Sequence, residues 1–140
     1  MLINGMEYDW STVNVMLLNR IVEGISAVDY DDNVDKVTHK GRGKFGVSRG
    51  RGNYEASGSI TLSMKEVVAI QRALPKGRRM QDIAPFPIII SYLPDDGSNV
   101  IVTDRMNDCE FTNVSRKTKV GDTQFESEFV LEVGSIDWDI

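Results

Sequence analysis

One cysteine, one histidine and four prolines in 140 residues remove several chemistries at once. Cys109 alone cannot close an internal disulfide, and no Cys or His stands at a zinc-ligand spacing from it, so a half-buried strand thiol is expected. His39 is the sole imidazole, which leaves a serine nucleophile with almost no choice of base. No apolar run approaches the roughly 20 residues of a membrane helix. The N-terminus also lacks the basic-then-apolar order of a secretory signal, so folding in a cytosol is expected. Without secretion the sequon Asn113-Val114-Ser115 carries no meaning.

What the chain does have is 41% hydrophobic residues, enough for one core in one domain spanning residues 1–140. Its charge is segregated. Residues 36–52 hold Lys36, Lys40, Arg42, Lys44, Arg49 and Arg51 with no anion, so the remaining residues carry -11 against a net -5 for the whole. A glycine-rich cationic segment on an anionic body suits either docking on an acidic copy of itself or holding phosphates.

The apolar pattern predicts a mainly β protein, a sandwich or barrel of two packed sheets, with one short flanking α-helix and a long basic loop over residues 36–52. Residues 12–18 and 21–30 read as early strands, the second bulged at Gly24. Residues 54–63 alternate, placing Tyr54, Ala56, Gly58, Ile60 and Leu62 inward and Glu55, Ser57, Ser59, Thr61 and Ser63 outward. Ser63-Met64-Lys65-Glu66 has capping-box form and predicts a helix with Val67, Ile70 and Leu74 on one face, stopped at Pro75-Lys76-Gly77. Residues 87–93 and 99–103 predict a hairpin, and 109–115 a further strand. The strand 123–133 sets Phe125, Ser127, Phe129, Leu131 and Val133 against Glu126, Glu128 and Glu132.

Chemical motifs fail on context. Gly41-Arg42-Gly43-Lys44-Phe45-Gly46 spells a dinucleotide fingerprint, but that chemistry needs a strand before it and a helix N-terminus after it, and neither flank fits. Gly46-Val47-Ser48-Arg49-Gly50 matches a nucleophile elbow with no histidine later in the chain. Asp29-Tyr30-Asp31-Asp32-Asn33 starts like a calcium loop, yet Val34 and Lys40 occupy the glycine and glutamate positions, leaving a solvated acidic turn or a partner for a neighbour's basic loop. No catalytic residue, metal ligand or cofactor site is expected.

Residues 49–62, reading RGRGNYEASGSITL, resemble the segment after the long loop in bacteriophage tail tube proteins, most closely those of contractile tails. The helix directly after that strand, the hairpin over 87–103 and the terminal Ile136-Asp137-Trp138 are similar in the same order. The resemblance implies hexameric rings stacked into a hollow tube for DNA ejection, a design shared with type VI secretion tubes and contractile bacteriocins. It further implies a virion tail assembled in the bacterial cytoplasm, with sheath, baseplate and terminator proteins as further partners. The long loop would then contact a neighbouring subunit through Lys36, Lys40, Arg42, Lys44, Phe45, Val47, Arg49 and Arg51. Ser57, Ser59, Thr61, Glu126, Glu128 and Glu132 would either face the lumen or form an ordinary solvated sheet face. The competing class is a small nucleic-acid-binding module, its Arg/Gly segment tracking a single strand while Phe45 and Tyr54 stack on bases.

Overall fold

The computed structural model describes residues 2–8, 13–18, 20–40, 46–94, 99–116 and 125–140. In chain order these form β1 (Leu2–Ile3), β2 (Met6–Glu7), β3 (Val13–Leu17), β4 (Arg20–Ile21), β5 (Ile25–Lys40) and β6 (Gly46–Ser63). Then come α1 (Met64–Ala73), a 3-10 turn (Met80–Asp82), β7 (Phe86–Tyr92), β8 (Val102–Phe111), β9 (Glu126–Val133) and β10 (Ser135–Asp137). The mainly β class with one flanking helix is as expected.

Hydrogen bonds join the strands into one continuous sheet, ordered β2-β1-β5-β6-β9-β8-β7-β3-β4, with β10 added on β8. The β1–β5 pair is parallel, which makes the sheet mixed. Strand β8 is the shared element. Its Glu110 and Phe111 pair with β9, and its length from Val102 to Cys109 pairs with β7, so one ladder serves both halves of the sheet. Val15, Ile88, Ile90 and Met106 from one half and Val28, Ile60, Leu62 and Phe129 from the other bury into one hydrophobic cluster. Rings bridge the seam: Phe86 to Phe111 at 5.3 Å and Phe111 to Phe129 at 5.5 Å between centroids.

The period of two read from β9 holds, with Ser127, Phe129, Leu131 and Val133 buried and Glu128 and Glu132 exposed. Phe125 breaks that pattern: it precedes β9 and stays exposed. On β6, Ile60 and Leu62 are buried as expected, whereas Tyr54 lies beyond the reach of the core and is exposed. Of residues 99–103 and 109–115, expected as separate strands, only 102–103 and 109–111 are strand, and both pieces belong to the single strand β8; Asp108 turns to a φ of 53° and lets the ladder continue past it. Cys109 on β8 is fully buried rather than half-buried, and burial pushes its thiol pKa up to about 12.

Helix α1 begins at Met64 as its sequence predicts, but the capping box does not form. Ser63 makes no side-chain cap bond, and Glu66 is buried, accepting a bond from Arg20 Nη2 on β4 at 2.6 Å. A charge-assisted bond to a guanidinium outcompetes the reach back to a neutral backbone amide. Val67 and Ile70 bury the helix's apolar face, and the chain leaves the helix before Pro75, with Gly77 at a φ of 86°.

Candidate functional site

The cationic segment, expected as a loop, is strand in most of its length. The β5–β6 ladder runs from Ile25 opposite Leu62 out to Lys40 opposite Gly46. Strand β1 reaches only Ala27 and Val28 of β5, and β9 reaches only Ala56 to Ser63 of β6. From Val34 opposite Tyr54 outward, the hairpin therefore has no third strand among the described residues. At about 3.4 Å per residue it carries Lys40 roughly 24 Å beyond Asn33. Val37 and Thr38 supply β-branched residues on the β5 side, while glycines on β6 admit the opposing chain: a Cβ at Gly52 would lie 2.8 Å from Asp35 Cβ. Composition alone made this segment look like a loop because the ladder, which is non-local, is what orders it.

Lys36 is exposed and stands opposite Arg51, and Thr38 stands opposite Arg49. Opposed like charges weaken a strand pair, and a two-stranded ribbon is marginal in water by itself. Arg42, Lys44 and Phe45 lie outside the described residues, as do the side chains of Lys40, Val47, Arg49 and Arg51. His39 is an exposed strand residue rather than a loop histidine. Residues 46–50, the nucleophile-elbow match, form a strand, and the residues directly after the dinucleotide-fingerprint match are likewise strand and not helix. Residues 29–33, expected as an acidic turn, also lie in β5.

The suggested lumen residues do share one face. Cross-strand rows run Asp31–Ser57–Glu132–Glu110, Asp29–Ser59–Val130 and Ala27–Thr61–Glu128, closed by Ser63–Glu126 at one end and Asn33–Glu55 at the other. Asp29, Asp31, Glu55, Glu110, Glu126, Glu128 and Glu132 thus project from a surface whose rows contain no Lys or Arg. Glu110 and Glu132 are direct cross-strand neighbours, an arrangement that costs stability. Ser57 Oγ donates to Asp31 Oδ1. A shallow hollow of about 590 Å³ opens here between Asn4, Asp29, Asp31, Ser57, Ser59 and Val130.

On the opposite side of the same hairpin is a network that sequence reading missed. Tyr54 Oη and Trp138 Nε1 both donate to Asp32 Oδ2, at 2.7 and 3.0 Å. Tyr54 Oη accepts the Ile136 amide at 3.1 Å. Trp138 stacks on Tyr30 with centroids 5.4 Å apart, and Tyr30 Oη donates to buried Asp104 at 2.6 Å. Burial, reinforced by that bond to Asp104, drives the Tyr30 phenol pKa far upward. Asp104 also accepts the Asp139 amide at 2.8 Å. Bonds from Asn107 and Arg105 hold Asp137 below the usual carboxylate range. Residues 135–140 thereby tie β8 to the root of the arm. The only signal for this in the sequence was the terminal tryptophan, whose area suits a core or a subunit seam; Trp10 lies outside the described residues.

No protein-family model matches the chain, and no curated protein matches it in sequence. Solved structures do. The sheath/tube terminator of an extracellular contractile injection system in its extended state superposes with a TM-score of 0.67 at 12% identity, covering 96% of this chain and 98% of that one. The terminating cap of the anti-feeding prophage tube gives 0.65 at 14%, covering 95% and 92%. The sheath–tube complex of an extracellular contractile injection system gives 0.64 at 13%, covering 94% and 90%. At these identities the likeness establishes the fold alone: this chain shares its fold with these tube-associated structures, consistent with its sequence resemblance.

Proposed function

We propose that this chain is a non-catalytic structural subunit of a contractile tail or injection tube, stacking as hexameric rings into a hollow conduit. The observation that carries the reading is the cationic two-stranded arm standing clear of an acidic body, within a fold shared with tube, terminator and cap proteins. A ribbon with opposed like charges and no third strand gains stability when an anionic partner covers it, and a second copy of the chain supplies such a partner at every step of growth. Sheath, baseplate and terminator proteins are the further partners, and the particle is a phage-like tail put together in a bacterial cytoplasm.

The carboxylate face of β5, β6 and β9 lines the lumen in this reading. A channel through which DNA slides must not bind it, because each Lys or Arg contact to phosphate adds affinity through counterion release. The cross-strand Glu110–Glu132 pair supports the assignment, since it opposes folding while making the surface negative. The same face weighs against a nucleic-acid-binding module, whose arm would draw in a polyanion that the body repels. Negative-stain microscopy of the purified protein at rising concentration tests the proposal. Rings or tubes are expected; dispersed particles together with salt-sensitive, submicromolar binding of single-stranded DNA would overturn it.

A further inference from the structure

Three large side chains are exposed together at the root of the arm, on the side away from the carboxylate face: Val34 at 38%, Tyr54 directly opposite it at 42%, and Trp138 at 47%. The two aromatic ones are not loosely held. Asp32 accepts both the Tyr54 hydroxyl and the Trp138 indole N–H, and Tyr30 covers one face of the indole. With 47% of its surface exposed, the Trp138 side chain is nonetheless accessible to solvent. Exposed Asp35 and Asp139 border the same region.

We propose that this aromatic shelf is the seat on which a second copy of the chain lays its cationic arm. The inference rests on the tube reading above and names the surface that receives the arm. Tyr and Trp presented as rigid, pre-set rings are the residues that anchor protein interfaces, because little rotamer freedom remains to be lost on contact. An ammonium or guanidinium within about 6 Å of a ring face is attracted to it, more strongly once water is displaced, and the bordering carboxylates add to that attraction. The chain's own arm is carried outward from its root by the β5–β6 ladder, so the cations that come to rest on the shelf are a neighbour's. Residues 36–52 fit best: they carry six cations and no anion. The other basic stretch, Arg72 in the last turn of α1 with Lys76, Arg78 and Arg79 after it, is folded back on itself, where Asp82 accepts the Arg79 amide at 3.0 Å. Arm and shelf are different patches of one molecule, so the contact is head-to-tail and propagates, as a ring or a stack requires.

The test places a photo-crosslinking amino acid at position 34, which has no polar partner to lose, and assembles an equal mixture of 14N- and 15N-labelled subunits. Irradiation followed by peptide mass spectrometry is expected to give cross-links between light and heavy copies that join position 34 to peptides from residues 36–52. Cross-links only within one copy, or between copies to residues 72–79, would overturn the seat. Independently, Val34→Arg puts a cation on the shelf at an exposed site and is expected to raise the critical concentration for assembly by about tenfold or more; an unchanged value overturns the proposal. Tubes from the parent protein with cross-links elsewhere would reject the seat alone, whereas failure of the parent to assemble would reject the tube reading with it.

Discussion

Gly24 is a position where a single methyl group matters. A Cβ there would press on Ser63 Oγ and come within 2.5 Å of Glu66 Cγ, the side chain that Arg20 holds. Gly24→Ala is expected to push α1 off β4 and to lower stability by about 1–3 kcal/mol, the usual cost of overpacking, measured as a shift in denaturant midpoint. Cys109 gives a pH signature. Its folded pKa of about 12 lies above its ordinary value of 9.0, so its contribution to stability is whole below pH 9 and is lost as pH rises toward 12. Cys109→Ala is expected to lose less stability than the parent between pH 9 and pH 11; parallel curves for the two proteins would contradict this. Why the arm-root residues escaped sequence reading is plain at this scale. Asp32 meets Tyr54 across 22 positions and Trp138 across 106, and Tyr30 meets Asp104 across 74, so no local period could announce them.

At the scale of elements, legibility followed burial. Strands β6 and β9 were readable where one face meets the core, since alternation is then enforced, and α1 was readable from the placement of Val67 and Ile70. The outer arm was not, because neither of its faces is buried in the core and its glycines carry a loop's composition; only the pairing of β5 with β6 makes it strand. That same lack of core contact supports a prediction. Replacing residues 36–52 with a short turn should leave the thermal midpoint nearly unchanged, as surface changes do, while abolishing assembly measured by sedimentation at rising concentration. Polymerisation as efficient as the parent's would show that the arm is not the docking element.

For the whole molecule, the division of charge would set what the proposed assembly can carry. Exposed charges are screened over about 8 Å at physiological salt, so in the proposed assembly the arm would steer subunits at short range while apolar contacts at its root would retain them. Glu126→Lys, Glu128→Lys and Glu132→Lys together should leave tubes intact by microscopy and block DNA passage; unimpeded ejection would refute the lumen assignment. Beyond Val28 the outer margin of β5 has no partner strand among the described residues, and neither has β6 between Gly46 and Glu55. Past Tyr30, whose amide donates to Asn4 Oδ1 at 2.9 Å, such a ribbon has a margin without a partner strand on left and right alike. In the proposed tube, one tract of polypeptide would then be gripped by two different neighbours at once, so that sideways closure and lengthening would become a single cooperative event.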